Sequence, residues 1–145
     1  MNKIFLILLS ISIAVIAADI PTRTGVLPEE QMKIQNKEIA KLVAMEISKT
    51  LPQTIDKFTT FTSIKNKETT IVYTFEINTG AKNDEAVKKE DKSRMKEAVT
   101  AGVCQSSQKF LKAGIDISYV YISQKSKKHL FQFDISLKDC DFKAD

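Results

Sequence analysis

The sequence predicts an α+β two-layer sandwich: a four-stranded, mainly antiparallel sheet made of two hairpins, with helices packed on one face. Three observations carry this reading. Apolar residues recur at three- and four-residue spacing after Pro28, two pairs of segments alternate apolar with polar residues, and a long helical pattern lies between the pairs.

Pro28 suits the start of a helix, and Glu29 and Glu30 suit its positive N-terminal end. Ile39, Leu42, Val43 and Ile47 then mark one face of a helix that must stop at Leu51, because Pro52 has no N–H to donate. Phe58 to Ile64 is rich in β-branched and aromatic residues and reads as a strand. The polar link Lys65-Asn66-Lys67-Glu68 leads into Thr69 to Asn78, where Ile71, Tyr73, Phe75 and Ile77 alternate with Thr70, Val72, Thr74 and Glu76, so the two strands form a hairpin.

Asn83 or Asp84 can cap a second helix that runs to about Val103 and buries Met95, Ala98, Val99 and Val103. Its charged first half offers Asp84 with Lys88 and Glu85 with Lys89 at four-residue spacing, a solvated face. Ser106 or Ser107 starts a short helix through Phe110 and Leu111, which Gly114 closes as a left-handed residue. Ile115 to Ile122 and Leu130 to Leu137 alternate again and form a second hairpin, turned at Ser123 to Lys128.

The start of the chain bears on compartment. Met1 to Lys3 is basic, Ile4 to Ile16 is a thirteen-residue apolar run broken only by Ser10 and Ser12, and the small residues Ala17 and Ala18 follow, the layout of a secretory signal peptide cleaved near Ala17/Ala18. The run is shorter than the roughly 20 residues that span a bilayer as a helix, so no transmembrane span is expected in the mature chain. The expected organisation is a signal peptide over 1–17, a flexible lead-in over 18–27, and one domain over 28–145. A periplasmic or secreted location follows. In such a compartment the two cysteines, Cys104 and Cys140, are expected to form one disulfide, closing a loop of about 36 residues and contributing on the order of 4 kcal/mol.

Composition and motifs exclude more than they assign. A net charge of +4, spread along the chain, does not predict nucleic-acid binding. His129 is the only histidine and stands in a lysine-rich turn with no acid-base company. No spacing of His, Cys and carboxylates suits a metal, and no glycine-rich phosphate loop, nucleophile elbow or zincin helix is present. No cofactor, metal or catalytic residue is therefore expected. Two surfaces remain as candidates for a partner: Val72, Val120, Ile122 and Leu130 on the sheet face away from the helices, and Lys125, Lys127 and Lys128 in the second hairpin turn.

The chain resembles a loose class of small exported proteobacterial proteins of uncharacterised function, some associated with the envelope or virulence. Leu51-Pro52, Ile71-Val-Tyr-Thr-Phe75, Val103-Cys104, Leu111-Lys-Ala-Gly114, Tyr119-Val-Tyr121 and Lys138-Asp-Cys140 carry the resemblance. The layout is also similar to periplasmic modules that grip other envelope proteins, such as the C-terminal domain of TolA and the pilotins of type II secretion. A departure from the pilotin lipoproteins is that no cysteine stands at the cleavage point. The resemblance implies a shared fold and an exported location and carries over no catalytic residue. The function expected is a non-catalytic protein-binding or accessory module of the bacterial cell envelope, its partner another envelope or extracellular protein. The alternatives are a small enzyme or enzyme inhibitor using Tyr119, Tyr121 or His129 between helices and sheet, and a carrier of a small apolar ligand.

Overall fold

The structure, a computed structural model, describes residues 27–142. The signal peptide expected over 1–17, and the expected lead-in up to residue 26, lie outside the described residues. Helix α1 (Glu29–Ser48) opens the domain, followed by strands β1 (Gln53–Thr54), β2 (Thr59–Lys67) and β3 (Thr70–Ile77). Helices α2 (Asp84–Lys89), α3 (Ser93–Ser106) and α4 (Gln108–Ala113) come next, then β4 (Asp116–Ser123), β5 (His129–Ile135) and a 3-10 turn over Leu137–Asp139.

The α+β class and both hairpins are present, but the sheet has five strands rather than four, in the order β1-β2-β3-β4-β5. It is also mixed. β3 and β4 run parallel, because the three helices between them carry the chain back to the starting end of the sheet, while the other three pairings are antiparallel. The unpredicted strand β1 is only two residues long, too short for an alternation to register in sequence. Its pairing of Gln53 with Phe61 and Thr54 with Thr60 follows directly on the Leu51–Pro52 turn.

Local differences have local causes. Lys65 to Lys67 belong to β2 rather than to a link, since a tight turn at Glu68, with φ of 52°, lets these polar residues pair with Val72 to Thr70. The second helix breaks after Lys89: Glu90 adopts extended backbone, and the Asp91 carboxylate accepts from the N–H and hydroxyl of Ser93, starting α3 afresh. Asn83 caps α2 by accepting from the N–H of Ala86, Lys88 pairs with Glu85, and Asp84 accepts from the Ser126 hydroxyl instead of meeting Lys88. Ser107 precedes α4 without a side-chain cap bond. Gly114 closes α4 in the left-handed region at φ of 87°.

The core lies between the helices and one sheet face. Ala40, Ala44, Val103 and Leu111 from the helices meet Phe61, Ile64, Ile71, Phe75, Ile117, Tyr121, Phe133 and Ile135 from the sheet. Burying each large side chain contributes about 1.5–3 kcal/mol. In α1 the buried stripe runs through Ala40 and Ala44, with Ile39, Val43 and Ile47 at its margins, while Leu42 turns outward. Small residues here let the helix backbone approach β2 and β3. Of the face expected for the second helix, Val103 is buried and Val99 half-buried, but Ala98 and Met95 are exposed. Cys104 at the end of α3 and Cys140 just past the 3-10 turn have Cα atoms 5.6 Å apart and sulfurs at bonding distance, joining the helix layer to the tail.

Candidate functional site

Register aligns the inward-facing aromatics into rows across the sheet. Phe61 pairs with Phe75, Phe75 with Tyr121 and Tyr121 with Phe131, and their ring centroids lie 5.1, 5.2 and 4.7 Å apart. Tyr73 and Tyr119 form a second row beside the first, 5.1 Å apart. Such pairs contribute about 0.5–1.5 kcal/mol each beyond area burial. Burial pushes the phenols of Tyr73 and Tyr121 up to about 12, with the nearby Tyr119 adding to both, and burial raises Tyr119 as well. These groups stay protonated at neutral pH.

The first row ends in a groove. Phe131 of β5, Ile77 of β3, Val87 of α2, Met95 of α3 and Phe58 before β2 line a hollow of about 400 Å³ that opens to solvent, with Lys82, Glu90, Asp91 and Lys92 around it. Its walls are held in place. The Asp56 carboxylate accepts from the N–H groups of Phe58 and Thr59 at 2.7 and 2.8 Å, and the Phe58 carbonyl accepts from the N–H of Asn78 at 2.8 Å. Phe58 is thus 53% exposed on a fixed backbone. On the opposite wall Lys92 donates to the carbonyls of Val87, Lys88 and Glu90 and sits 4.7 Å from the centre of the Phe131 ring, while Lys82 pairs with Glu90. The Lys82 ammonium holds the Glu90 carboxyl below its usual range.

The residues singled out in sequence fall on the other side. Val72, Val120 and Ile122 are half-buried on a sheet face that no helix covers among the described residues, where Thr70, Ser118, Gln132 and Asp134 border a hollow of about 520 Å³. Leu130 does not join them: a bulge between Tyr121 and Ile122 sets His129 opposite Ile122, and Leu130, in the extra position, is 5% exposed. Lys125 and Lys128 are exposed beside Asp84 and Glu85, and Lys127 pairs with Glu76 at 2.8 Å. His129 shares the face of Ile122, across the sheet from Tyr119 and Tyr121, so these three do not converge. The helix-side hollow near Leu27, Met32 and Leu111 is open and bordered by Asp116, Lys112 and Lys138, rather than an enclosed apolar cavity.

Sequence reasoning placed Met95 on a buried helix face and Phe58 at a strand start. The available signal was Asp56-Lys57-Phe58, an aromatic residue inside a turn, where little of its surface can be buried.

Among the described residues no group of three or more His, Cys, Asp or Glu is gathered for a metal, and no helix is long and apolar enough to cross a membrane. Fold and site define a class: a small α+β domain whose features are an apolar groove and an open sheet face. The chain belongs to the family described as Domain of unknown function (DUF8479), which matches residues 35–131. No curated protein matches it. Its structure is similar to that of a candidate secreted protein of Pseudomonas aeruginosa, with TM-score 0.66 and 14% identity over 75% of this chain and 96% of the other. It is similar also to the type 2 secretion system pilotin EpsS of Vibrio vulnificus, with TM-score 0.64 and 12% identity over 79% and 99% of the two chains. The type II secretion system pilotin AspS of Vibrio cholerae gives TM-score 0.61 and 14% identity over 77% and 97%. At these identities the shared property is the fold.

Proposed function

We propose that this protein is an exported, non-catalytic accessory module of the bacterial cell envelope that works by docking another envelope protein in the groove at Phe58. The observation that carries the reading is the exposed Phe58 ring, borne on a backbone that Asp56 and Asn78 fix, beside the apolar Ile77, Val87 and Phe131 of the same groove. Aromatic side chains that a partner can cover supply much of an interface's energy, and a backbone already fixed leaves less ordering entropy to be lost on binding. The fold held in common with two pilotins and a candidate secreted protein supports an accessory role outside the cytoplasm. The basic start and apolar run over 1–17, which have the layout of a secretory leader, support export, and N-terminal sequencing of protein from the native host is expected to begin near Ala18.

The test uses the mature chain as bait in envelope extracts of its native host. The wild type is expected to retain a partner that Phe58→Asp and Met95→Asp each weaken by about tenfold or more, with folding unchanged because both side chains are already exposed. Capture that is indifferent to both substitutions overturns the groove as the docking site.

A further inference from the structure

The open sheet face carries a charge order that the groove does not use. Register places Lys65, Val72, Ser118 and Asp134 in one row across four strands, cationic at the β2 end and anionic at the β5 end. The next row inward is Ser63, Thr74, Val120 and Gln132, and the row on the other side begins Lys67, Thr70, Asp116. Asp134 is fixed on this face: it accepts from the Ser118 hydroxyl at 2.6 Å and from the Gln132 amide at 2.9 Å. Lys65 and Lys67 make no ion pair among the described residues.

Such a row is self-complementary under one symmetry operation. A two-fold axis lying between two stacked sheets and along their strands reverses the order of strands while leaving each residue at its own level. Lys65 of one copy then stands over Asp134 of the other, twice, with Lys67 toward Asp116. Val120 of one copy comes beside Val72 of its mate, over Thr74. An axis across the strands would instead set β2 on β2 and lysine on lysine.

We propose that this face is a self-association surface, on which a second copy packs sheet to sheet about a two-fold axis along the strands, with Lys65 and Asp134 paired reciprocally. Sheets packed this way lie about 10 Å apart, within the joint reach of a lysine and an aspartate. Four strands of about seven residues present roughly 450 Å² per copy. That is below the roughly 800 Å² per partner of a standard stable interface, so the dimer is weak and reversible.

Sedimentation equilibrium of the mature chain from micromolar to millimolar concentration tests this, together with a zero-length carbodiimide cross-link. The wild type is expected to dimerise at the upper end, less so in high salt, and the linked dimer to contain a Lys65–Asp134 bond. Within one chain these residues are three strand spacings apart, about 14 Å, so that bond forms only between copies. Lys65→Asp and Asp134→Lys are each expected to weaken the dimer by about tenfold or more, and the double variant to restore it. The cross-link on wild-type protein keeps the test decisive where a variant fails to fold. A monomer throughout the range, or a dimer linked elsewhere and unmoved by either reversal, overturns the proposal.

Discussion

At the scale of single residues, the chain's three tyrosines report on the core. Tyr73 and Tyr121 titrate near 12, and Tyr119 is raised too, because burial penalises the phenolate. The unfolded chain gives up these protons near pH 10 while the folded protein keeps them, so stability is complete below pH 10 and declines as pH rises toward 12. Absorbance at 295 nm of the folded protein is expected to stay flat where the urea-unfolded chain is half ionised; coincident titrations would contradict this. Gly114 is a second reporter. A Cβ there meets only the Asn36 amide, at 3.6 Å, so the cost of Gly114→Ala comes from the backbone at φ of 87° and is expected to be about 1–2 kcal/mol in a denaturant melt.

Elements were legible where pattern and length were generous. The Gly114 closure, the Asn83 cap and the alternations of β3 and β4 each rest on one local rule, and each is where that rule put it. Asn83→Ala is expected to cost about 1 kcal/mol and Asn83→Asp almost nothing, again by denaturant melt. What the sequence concealed depends on tertiary partners. The break at Glu90 is compensated by Lys92, which gathers the last carbonyls of α2 and covers Phe131, and such a contact has no periodicity to read. The parallel join of β3 to β4 follows from where three helices deliver the chain, and β1 owes its existence to its neighbour β2. Leu42 shows the limit of an apolar stripe: Ala40 and Ala44 take the inward positions, because the close approach of α1 to the sheet favours small side chains.

For the whole molecule, one covalent tie and one groove define the account. Cys104 and Cys140 join α3 to the tail beyond β5 and close a 36-residue separation. Replacing both with serine is expected to lower unfolding free energy by about 2–4 kcal/mol, measured by urea denaturation under identical conditions. The groove was the less legible part, since Phe58, Val87, Met95 and Phe131 come from the turn before β2 and from three separate elements, and meet only when the sheet and the α2–α3 corner are assembled. A photoreactive phenylalanine analogue at position 58, expressed in the native host, tests its role most directly, with position 41 on the outer face of α1 as control. The account predicts a covalent adduct to one envelope protein from position 58 and none from position 41. Equal labelling from both, or none from either, would contradict it.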